Sequence, residues 1–332
     1  MNIDFRKFNL AVVIPAYKVA GEVEAVISEL PDYLRYIIVV DDASPDDTSG
    51  VVKALASRDR RILLVRHEQN QGVGGAMLTG FQKALELGAQ VIVKIDGDHQ
   101  MDPAYIPALI TPLLQGKADY TKGNRFRDLE ALQHMPLIRR IGNLGLSFLT
   151  KAATGYWNCF DPTNGFFAIR AEMLAELPLE HIDRRYFFET SMLANLYLLG
   201  AFILEVPMPA RYRGERSNMS IWRILGEFPV KLFTTFLRRI LLRYYLYDFS
   251  MMSVYLLTGL PLILFGLIFG SIKWIQYAKL GVPAPTGTVI LPTLALILGI
   301  QILLSAIEID MNSAPKTPRS QPFLWTTKTR GH

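Results

Sequence analysis

Short apolar runs alternate with amphipathic stretches along the first third of the chain. Runs at residues 10–14, 36–40, 62–65 and 91–95 have the length of strands and consist mostly of valine, isoleucine and leucine. Such runs are typical of strands that are buried on both faces of a sheet. Intervening stretches such as 21–30 carry apolar positions at helical spacing. The alternation predicts an α/β fold with a mostly parallel, twisted, Rossmann-like sheet and helices on both faces.

The hydrophobic pattern changes in the last quarter of the chain. No charged residue occurs in the 24 positions of 249–272 or in the 28 positions of 280–307. Because a helix of ~20 apolar residues can cross a bilayer core, these segments predict a two-helix transmembrane hairpin over residues 249–308. Two very hydrophobic helices in a soluble core are the alternative interpretation.

Basic residues flank the predicted hairpin on both sides. They are Lys231, Arg238, Arg239 and Arg243 before it, and Lys316, Arg319, Lys328 and Arg330 after it. The positive-inside tendency therefore predicts a multi-pass protein of the cell inner (plasma) membrane with both flanks in the cytoplasm. Lysines at 273 and 279, in the short connection, weaken that contrast.

The chain divides into four predicted parts. Residues 1–218 form the cytoplasmic α/β domain, and 219–248 form juxtamembrane amphipathic helices that lie on the lipid bilayer. Packing of those helices on the α/β domain is the alternative for this second part. The hairpin follows at 249–308, and the tail at 309–332, rich in Pro, Ser, Thr, Lys and Arg, predicts disorder.

Composition and charge exclude several classes of protein. The chain has a single cysteine, Cys159, which rules out an internal disulfide framework and fits a reducing compartment. The formal net charge is only +5, and its basic residues lie beside the apolar segments without a nucleic-acid-binding module. We therefore expect a lipid bilayer and no nucleic acid as partner, and a homo-oligomer is left open.

The run 91–95 ends in an acidic cluster. Asp96, Asp98 and Gln100 are spaced by two residues, so their side chains face one way if the segment continues as a strand. Carboxylates held this close favour a hard cation such as Mg²⁺ or Mn²⁺. The alternative is an acidic turn in which Asp102 caps a helix that begins at Pro103.

Polar residues also follow the other predicted strands. Asp41 and Asp42 end the run 36–40, where open α/β sheets bind ligands, while Ser44 has the pattern of a helix cap. The glycines at 72, 74 and 75 have neither P-loop nor dinucleotide-binding spacing, and close packing explains them better than a ligand does.

Several short motifs occur in order between residues 8 and 220. They are IPAY at 14–17, DDASPDDT at 41–48, NQG at 70–72, DGDHQMDP at 96–103, GNR at 123–125, DPTNGFFAIR at 161–170, EVP at 205–207 and RYRGERS at 211–217. Together they resemble family 2 of the inverting glycosyltransferases, which have the GT-A fold. Within that family they are most similar to the dolichol- or polyprenyl-phosphate mannose or glucose synthases.

The resemblance implies an enzyme that transfers a sugar from a nucleotide-sugar donor, GDP-mannose or a UDP-hexose, to a polyprenyl phosphate acceptor. Its metal would be Mg²⁺ or Mn²⁺, held by Asp96, Asp98 and Gln100. The implied donor contacts are Pro15, Ala16, Tyr17, Val40, Asp41, Asp42, Asp96, Gly97, Arg211 and Arg216. The implied catalytic residues are Asp96, Asp98, Arg139, Arg211 and Glu189.

The chain departs from the family pattern at several positions. Lys18 and Val19 follow the first motif where Asn-Glu is common, which affects the expected base contact. Arg139 either binds phosphate or belongs to a solvated basic face, and Glu189 is either a general base or structural. A transferase that acts on a hydroxyl acceptor and a catalytically silent membrane scaffold are the rival functions.

Overall fold

The core of the protein is a single sheet with strands buried on both sides. A computed structural model describes residues 3–125, 137–209 and 221–319, with only the backbone described for 137–143 and 221–225. The strands are β1 (Leu10–Ala16), β2 (Tyr36–Asp41), β3 (Ile62–Arg66), β4 (Val91–Lys94), β5 (Tyr120–Asn124), β6 (Phe167–Arg170) and β7 (Ile203–Pro207). Among the described residues they form a seven-stranded sheet in the order β3-β2-β1-β4-β6-β5-β7.

Most neighbouring strands in this sheet are parallel. β1 pairs in parallel with β2 and β4, β2 with β3, and β5 with β7. β6 alone, among these strands, runs against both of its neighbours, β4 and β5. The predicted mostly parallel sheet is confirmed, and β6 brings the segment that precedes it to the edge where the parallel strands end, called here the carboxyl edge.

Helices cover both faces of the sheet. Those that pack on it are α1 (Val23–Ser28), α2 (Thr48–Ala56), α3 (Val73–Glu86), α4 (Ile106–Leu114), α6 (Ala171–Glu176) and α7 (Phe188–Leu198). The other helices of the described residues are α5 (Leu137–Thr154), α8 (Ile221–Leu241), α9 (Met251–Leu280) and α10 (Thr286–Asn312). Short 3₁₀ helices lie at Phe5–Lys7, Pro103–Tyr105 and Leu179–His181, and a π-helix lies at Leu242–Tyr247.

Alternation along each strand divides the core into two layers. In β1, Val12 packs in one layer with apolar residues of α1, α2 and α4, while Val13 packs in the other with α3, α6 and α7. The chain thus uses one face for the helices after β1 and β2 and the opposite face for the helix after β3. This change of face places a topological switch point between β1 and β4, where open α/β sheets bind ligands at the carboxyl edge.

A second compact unit comprises Leu237–Ala314. Its helices α9 and α10 have 30 and 27 residues with mean hydropathies of 2.1 and 2.3 over their most apolar windows. Only 22% of each window is buried within the protein, unlike the core helix of a soluble domain. Both helices are long and apolar enough to cross a membrane.

Close packing and a buried ion pair hold this second unit together. A Cβ on Gly299 would lie 2.7 Å from the Ile263 side chain, so the two long helices approach as small residues allow in membranes. The buried Arg239 guanidinium contacts both Asp310 carboxylate oxygens, at 2.6 and 2.9 Å, and the Tyr244 hydroxyl donates to the same carboxylate at 2.7 Å.

The described part of the predicted tail is ordered. α10 continues to Asn312, beyond the expected end of the hairpin. The Arg319 backbone N–H then donates to the Asp119 carboxylate (2.9 Å), and its guanidinium lies 2.9 Å from the Glu176 carboxylate. These tertiary contacts order residues 309–319, for which composition predicted disorder, whereas residues 320–332 lie outside the described residues.

Candidate active site

The acidic residues after β4 lie in a turn rather than on an extension of the strand. β4 ends at Lys94, and the chain then turns with His99 at a φ of +58°. The predicted alignment of Asp96, Asp98 and Gln100 by strand alternation is therefore wrong. The turn is held instead by a hydrogen bond from the Gln100 N–H to the Asp98 carboxylate (3.1 Å).

Exposure within this turn differs among the predicted metal ligands. Asp96 and Asp98 are half-buried, and Gln100 is exposed. Asp102, just beyond, accepts a hydrogen bond from the Ala104 N–H (3.0 Å) and caps the 3₁₀ helix at Pro103–Tyr105. The predicted cap is thus confirmed for Asp102, and it leaves Asp96 and Asp98 without a capping role.

A buried lysine connects the acidic turn to α7. The Lys94 side chain is 1% exposed, and its Nζ lies 2.7 Å from Asp96 Oδ1 and 3.4 Å from Glu189 Oε1. Burial alone would lower the pKa of Lys94, but the two carboxylates raise that pKa above its ordinary value. The ammonium group therefore stays charged and holds two carboxylates in fixed positions.

Gly165 makes room for this ion-pair cluster. A Cβ at that position would lie 2.4 Å from Lys94 Nζ and 3.0 Å from Asp96 Oδ2. A second buried lysine, Lys122, donates to the carbonyl of Asn164, and burial lowers its pKa. The segment that enters β6 is thus packed against two lysines, and a side chain at 165 would displace the first of them.

The turn after β4 supplies oxygen ligands that fit a divalent cation. The carboxylates of Asp96 and Asp98 and the side-chain carbonyl of Gln100 are hard donors of the kind that Mg²⁺ and Mn²⁺ prefer. Throughout the described residues, no group of three or more His, Cys, Asp and Glu side chains is placed to hold a metal. These three side chains stay a predicted donor set, and the oxygens of a bound ligand would have to complete the coordination of the ion.

The strands next to β4 bring the predicted donor contacts to the same edge. Pro15 and Val40 are paired in the parallel register of β1 and β2, and Ala16 ends β1. A Cβ on Gly97 would lie 3.5 Å from the Pro15 carbonyl, so the end of β1 adjoins the acidic turn. Tyr17 is 44% exposed there, with Lys18 Nζ 5.4 Å from the centre of its ring.

Asp41 connects the loops that follow β1 and β2. Its buried carboxylate accepts hydrogen bonds from the Ser44 N–H (2.9 Å) and from the Ser49 hydroxyl. Ser44 is not the helix cap that its sequence predicted, because α2 begins at Thr48 and the Ser44 hydroxyl accepts from the Lys18 N–H (3.2 Å). The contact of Asp41 with a nucleoside stays a prediction.

Asp42 connects β2 to the glycine-rich loop after β3. Its carboxylate accepts from the Gln71 and Gly72 N–H groups, both at 2.8 Å, and lies 2.7 Å from His67 Nδ1. Gly72 has a φ of +87°, and a Cβ there would lie 2.7 Å from the Arg184 carbonyl. The loop glycine thus permits close backbone packing, as predicted, and the nucleoside contact of Asp42 stays a prediction.

A third polar group lies at the ends of β5 and β7. The buried Asp161 carboxylate accepts from Arg125 Nε (2.8 Å) and Nη2 (3.1 Å). Glu205 accepts from the N–H groups of Phe160 (2.7 Å) and Asp161 (2.9 Å) and from Asn124 Nδ2 (2.8 Å). Asp161 therefore anchors its turn and fixes Arg125, whose side chain remains 37% exposed at the carboxyl edge.

We expect Glu205→Leu to lower the free energy of unfolding by about 1–3 kcal/mol, because the Asp161 N–H and the Asn124 amide lose their acceptor. Thermal unfolding in detergent measures this change. Glu180→Leu, at an exposed position, is the matched control and should leave the midpoint nearly unchanged. Equal midpoints for the two variants would show that Glu205 does not brace the turn.

Three predicted arginines cannot be placed in the site. Arg139 belongs to the start of α5, residues 137–143, for which only the backbone is described, and Arg211 and Arg216 lie outside the described residues. Their roles toward phosphate stay predictions. Among the described residues, Arg125 lies at the carboxyl edge, and Arg66 lies there too, at the end of β3 and 3.5 Å from the Asp41 carboxylate. The sequence motif around Arg125 gave no role for its side chain.

Sequence reasoning assigned no role to Lys94 or Glu205. Each lies in an otherwise apolar strand run, VIVKI for the first and ILEVP for the second. A charged side chain in such a run is rarely fully buried unless it is paired. A charged residue within an apolar strand run is therefore a signal that sequence reasoning can use. In both cases it marks a residue that organises the carboxyl edge.

Comparison with known proteins identifies the family. Residues 11–177, half of the chain, match the family model of glycosyl transferase family 2. The UDP-N-acetylglucosamine–dolichyl-phosphate N-acetylglucosaminyltransferase of Methanococcus voltae is 34% identical over 188 residues, 53% of this chain and 74% of that protein. The undecaprenyl-phosphate mannosyltransferase of Micrococcus luteus is 30% identical over 223 residues, 66% of this chain and 90% of that protein.

A solved structure supports the same fold. Glucosyl-3-phosphoglycerate synthase from Mycobacterium tuberculosis, in complex with Mn²⁺, UDP and phosphoglyceric acid, matches with a TM-score of 0.51 at 24% identity. The match covers 70% of this chain and 78% of that chain, and it establishes the GT-A fold. The chain belongs to glycosyl transferase family 2, and the protein is a glycosyltransferase.

Proposed function

We propose that the protein transfers a sugar from a nucleotide-sugar donor, GDP-mannose or a UDP-hexose, to a polyprenyl monophosphate, with inversion at the anomeric carbon. The observation that carries this proposal is the match to two transferases named for dolichyl and undecaprenyl phosphate, over 74% and 90% of their lengths. Two helices able to cross a bilayer suit an acceptor with a long lipid tail. The product would be a polyprenyl-phosphate sugar for envelope glycan or glycoprotein assembly, made at the cytoplasmic face of the inner (plasma) membrane.

The donor would bind along the ends of β1, β2 and β4. Asp96, Asp98 and Gln100 would hold Mg²⁺ or Mn²⁺ against the diphosphate, and when bound this cation neutralises charge on the leaving nucleotide. The nucleoside would lie on Tyr17, whose ring is exposed, and on the adjoining backbone of Ala16 and Gly97. The relative from Mycobacterium tuberculosis binds Mn²⁺ and UDP, which supports a divalent ion here.

The acceptor phosphate would approach from the side of β5 and β6. Arg125, fixed by the buried Asp161, presents N–H donors suited to phosphate oxygens; Arg139, Arg211 and Arg216 are proposed to contribute further positive charge. Because a phosphate monoester is already anionic, its oxygen can attack without a strong base. Alignment and charge neutralisation would then supply most of the rate enhancement.

The position of Glu189 would also suit one rival function, transfer of the sugar to a hydroxyl acceptor. Its carboxylate lies at the carboxyl edge, 3.4 Å from Lys94 Nζ, where a general base for a hydroxyl acceptor would also be placed. In the proposed reaction this side chain instead orients Lys94 and, through it, Asp96. The two functions differ in the acceptor that they require.

Purified full-length protein in detergent tests the proposal directly. It is incubated with Mn²⁺ and radiolabelled GDP-mannose, UDP-glucose or UDP-N-acetylglucosamine, each with undecaprenyl phosphate or with undecaprenol. We expect label in the lipid extract for one donor, with the phosphate acceptor only. The product should be labile to mild acid and should have the anomeric configuration opposite to that of the donor.

Two results would contradict the proposal. Label transferred to undecaprenol as well as to undecaprenyl phosphate would favour a hydroxyl acceptor. No label from any of the donors, by protein whose thermal unfolding remains cooperative, would reject transfer of these sugars to a prenyl phosphate.

A further inference from the structure

Among the described residues, one side of α5 carries exposed apolar side chains. Leu144, Phe148 and Leu149 are 65%, 59% and 51% exposed. Phe160, in the turn after the helix, is 63% exposed, and the ring of Trp157 packs edge-on against that of Phe148 at 5.5 Å. We call these five residues the α5 patch.

The α5 patch is not required to hold the helix in place. The opposite side of α5 supplies Ala153 to a small core cluster with Phe187, which directly precedes α7, and Leu232 of α8, and Leu146 packs against it. Thr150 is also buried on that side. The helix is therefore apolar on two sides, and the fold uses only one of them. A solvent-exposed apolar surface of this kind commonly marks an interaction site.

The charges of α5 select the kind of partner. Its 18 residues include two arginines and Lys151, and none is acidic. Lys151 Nζ lies 4.7 Å from the centre of the Phe160 ring, so the ammonium lies at the border of the patch. A contact of α5 with the α5 of a second copy would bring together two helices that carry positive charges and no acidic residue. Anionic lipid headgroups supply such charges, while the apolar side chains enter the acyl boundary.

We propose that the α5 patch is a membrane-contact surface of the catalytic unit that inserts into the headgroup region of an anionic bilayer. This inference deepens the proposed function and rests on it for the presence of the bilayer. It concerns a helix some 80 residues before the segment in which the sequence predicted interfacial helices. Phe160 adjoins Asp161, the anchor of Arg125, so the contact sets the lipid surface beside the guanidinium proposed to bind the acceptor phosphate.

Depth-dependent fluorescence quenching tests the contact in the full-length chain. Phe148→Cys is labelled with the environment-sensitive dye NBD and reconstituted in liposomes of phosphatidylcholine and phosphatidylglycerol. The native Cys159 is buried, and burial raises its pKa, so its thiol does not compete for the dye. Lys53→Cys, exposed on α2, is the matched control away from the patch. Leu264→Cys, within α9, is the control for insertion of the hairpin.

We expect lipids with a doxyl-labelled chain to quench the dye at 148 several-fold more than at 53, while aqueous iodide quenches it less. Iodide quenching at 148 equal to that at 53, with the dye at 264 quenched by lipid, would overturn the membrane contact and leave the hairpin intact. A dye at 148 shielded from both quenchers, and exposed on dilution of protein in lipid, would indicate a second copy and also overturn it. Lack of lipid quenching at 264 would reject the membrane setting itself.

Discussion

Replacing Asp98 by asparagine is expected to lower kcat/KM for sugar transfer by about a hundred- to a thousandfold. The amide oxygen can still accept the hydrogen bond from the Gln100 N–H (3.1 Å), so the turn keeps its shape. The negative charge that is proposed to face a divalent cation is lost. Initial rates measured over a range of Mn²⁺ concentrations should show a higher half-saturating concentration in the variant than in the native protein.

The acidic segment contains its own control for this experiment. Asp102 lies four residues further on, and its carboxylate caps a 3₁₀ helix by accepting from the Ala104 N–H (3.0 Å). Asp102→Asn should therefore keep nearly native rates and native metal dependence. If Asp98→Asn and Asp102→Asn behaved alike in both respects, the assignment of a metal to the turn would be wrong.

The layered fold followed from the sequence because it depends on local patterns. Apolar runs of strand length separated by amphipathic helices predict parallel βα units, and β1 to β4 have this arrangement. The reversed direction of β6 had no local signal. Its orientation depends on tertiary pairing with β4 and β5, which a single strand of four residues does not encode.

Parts of the site were predicted for the wrong reason. Asp96 and Asp98 lie at the carboxyl edge as expected, but the strand stops at Lys94 and the positive φ of His99 breaks the alternation. Ser44 has the sequence pattern of a cap, yet its N–H donates to the Asp41 carboxylate and its hydroxyl accepts from the Lys18 N–H. At Ser44, a hydrogen bond between the loops after β1 and β2 outweighed a capping preference of about 1 kcal/mol.

The cluster around Lys94 was not predictable from spacing alone. Glu189 lies 95 residues further along the chain, in the first turn of α7. Only the fold brings its carboxylate and the Asp96 carboxylate within 3.4 Å of the Lys94 ammonium. The lysine in an apolar run did indicate a buried, paired cation, but not the identity of its partners.

Replacing Lys94 by methionine is expected to lower both stability and activity. Methionine fills a similar volume but leaves the carboxylates of Asp96 and Glu189 without the ammonium between them. Removing one partner of a buried ion pair lowers the free energy of unfolding by about 3–5 kcal/mol. Because Asp96 is partly exposed (29%), we expect a loss of about 3 kcal/mol here. Because Asp96 also loses its fixed position, kcat/KM should fall about a hundredfold or more. Thermal unfolding in detergent and initial rates measure the two effects.

A second substitution separates the effect on stability from the effect on activity. Lys94→Met combined with Glu189→Gln removes one of the two uncompensated charges, so part of the lost stability should return while activity stays low, since Asp96 still lacks its ammonium partner. Glu189→Gln alone keeps an oxygen that accepts from Lys94, and a phosphate acceptor needs no strong base. Its rate should therefore remain within about tenfold of the native rate. A Glu189→Gln protein that unfolds normally but transfers no sugar would identify Glu189 as a general base, and a hydroxyl would then be the better candidate for the acceptor.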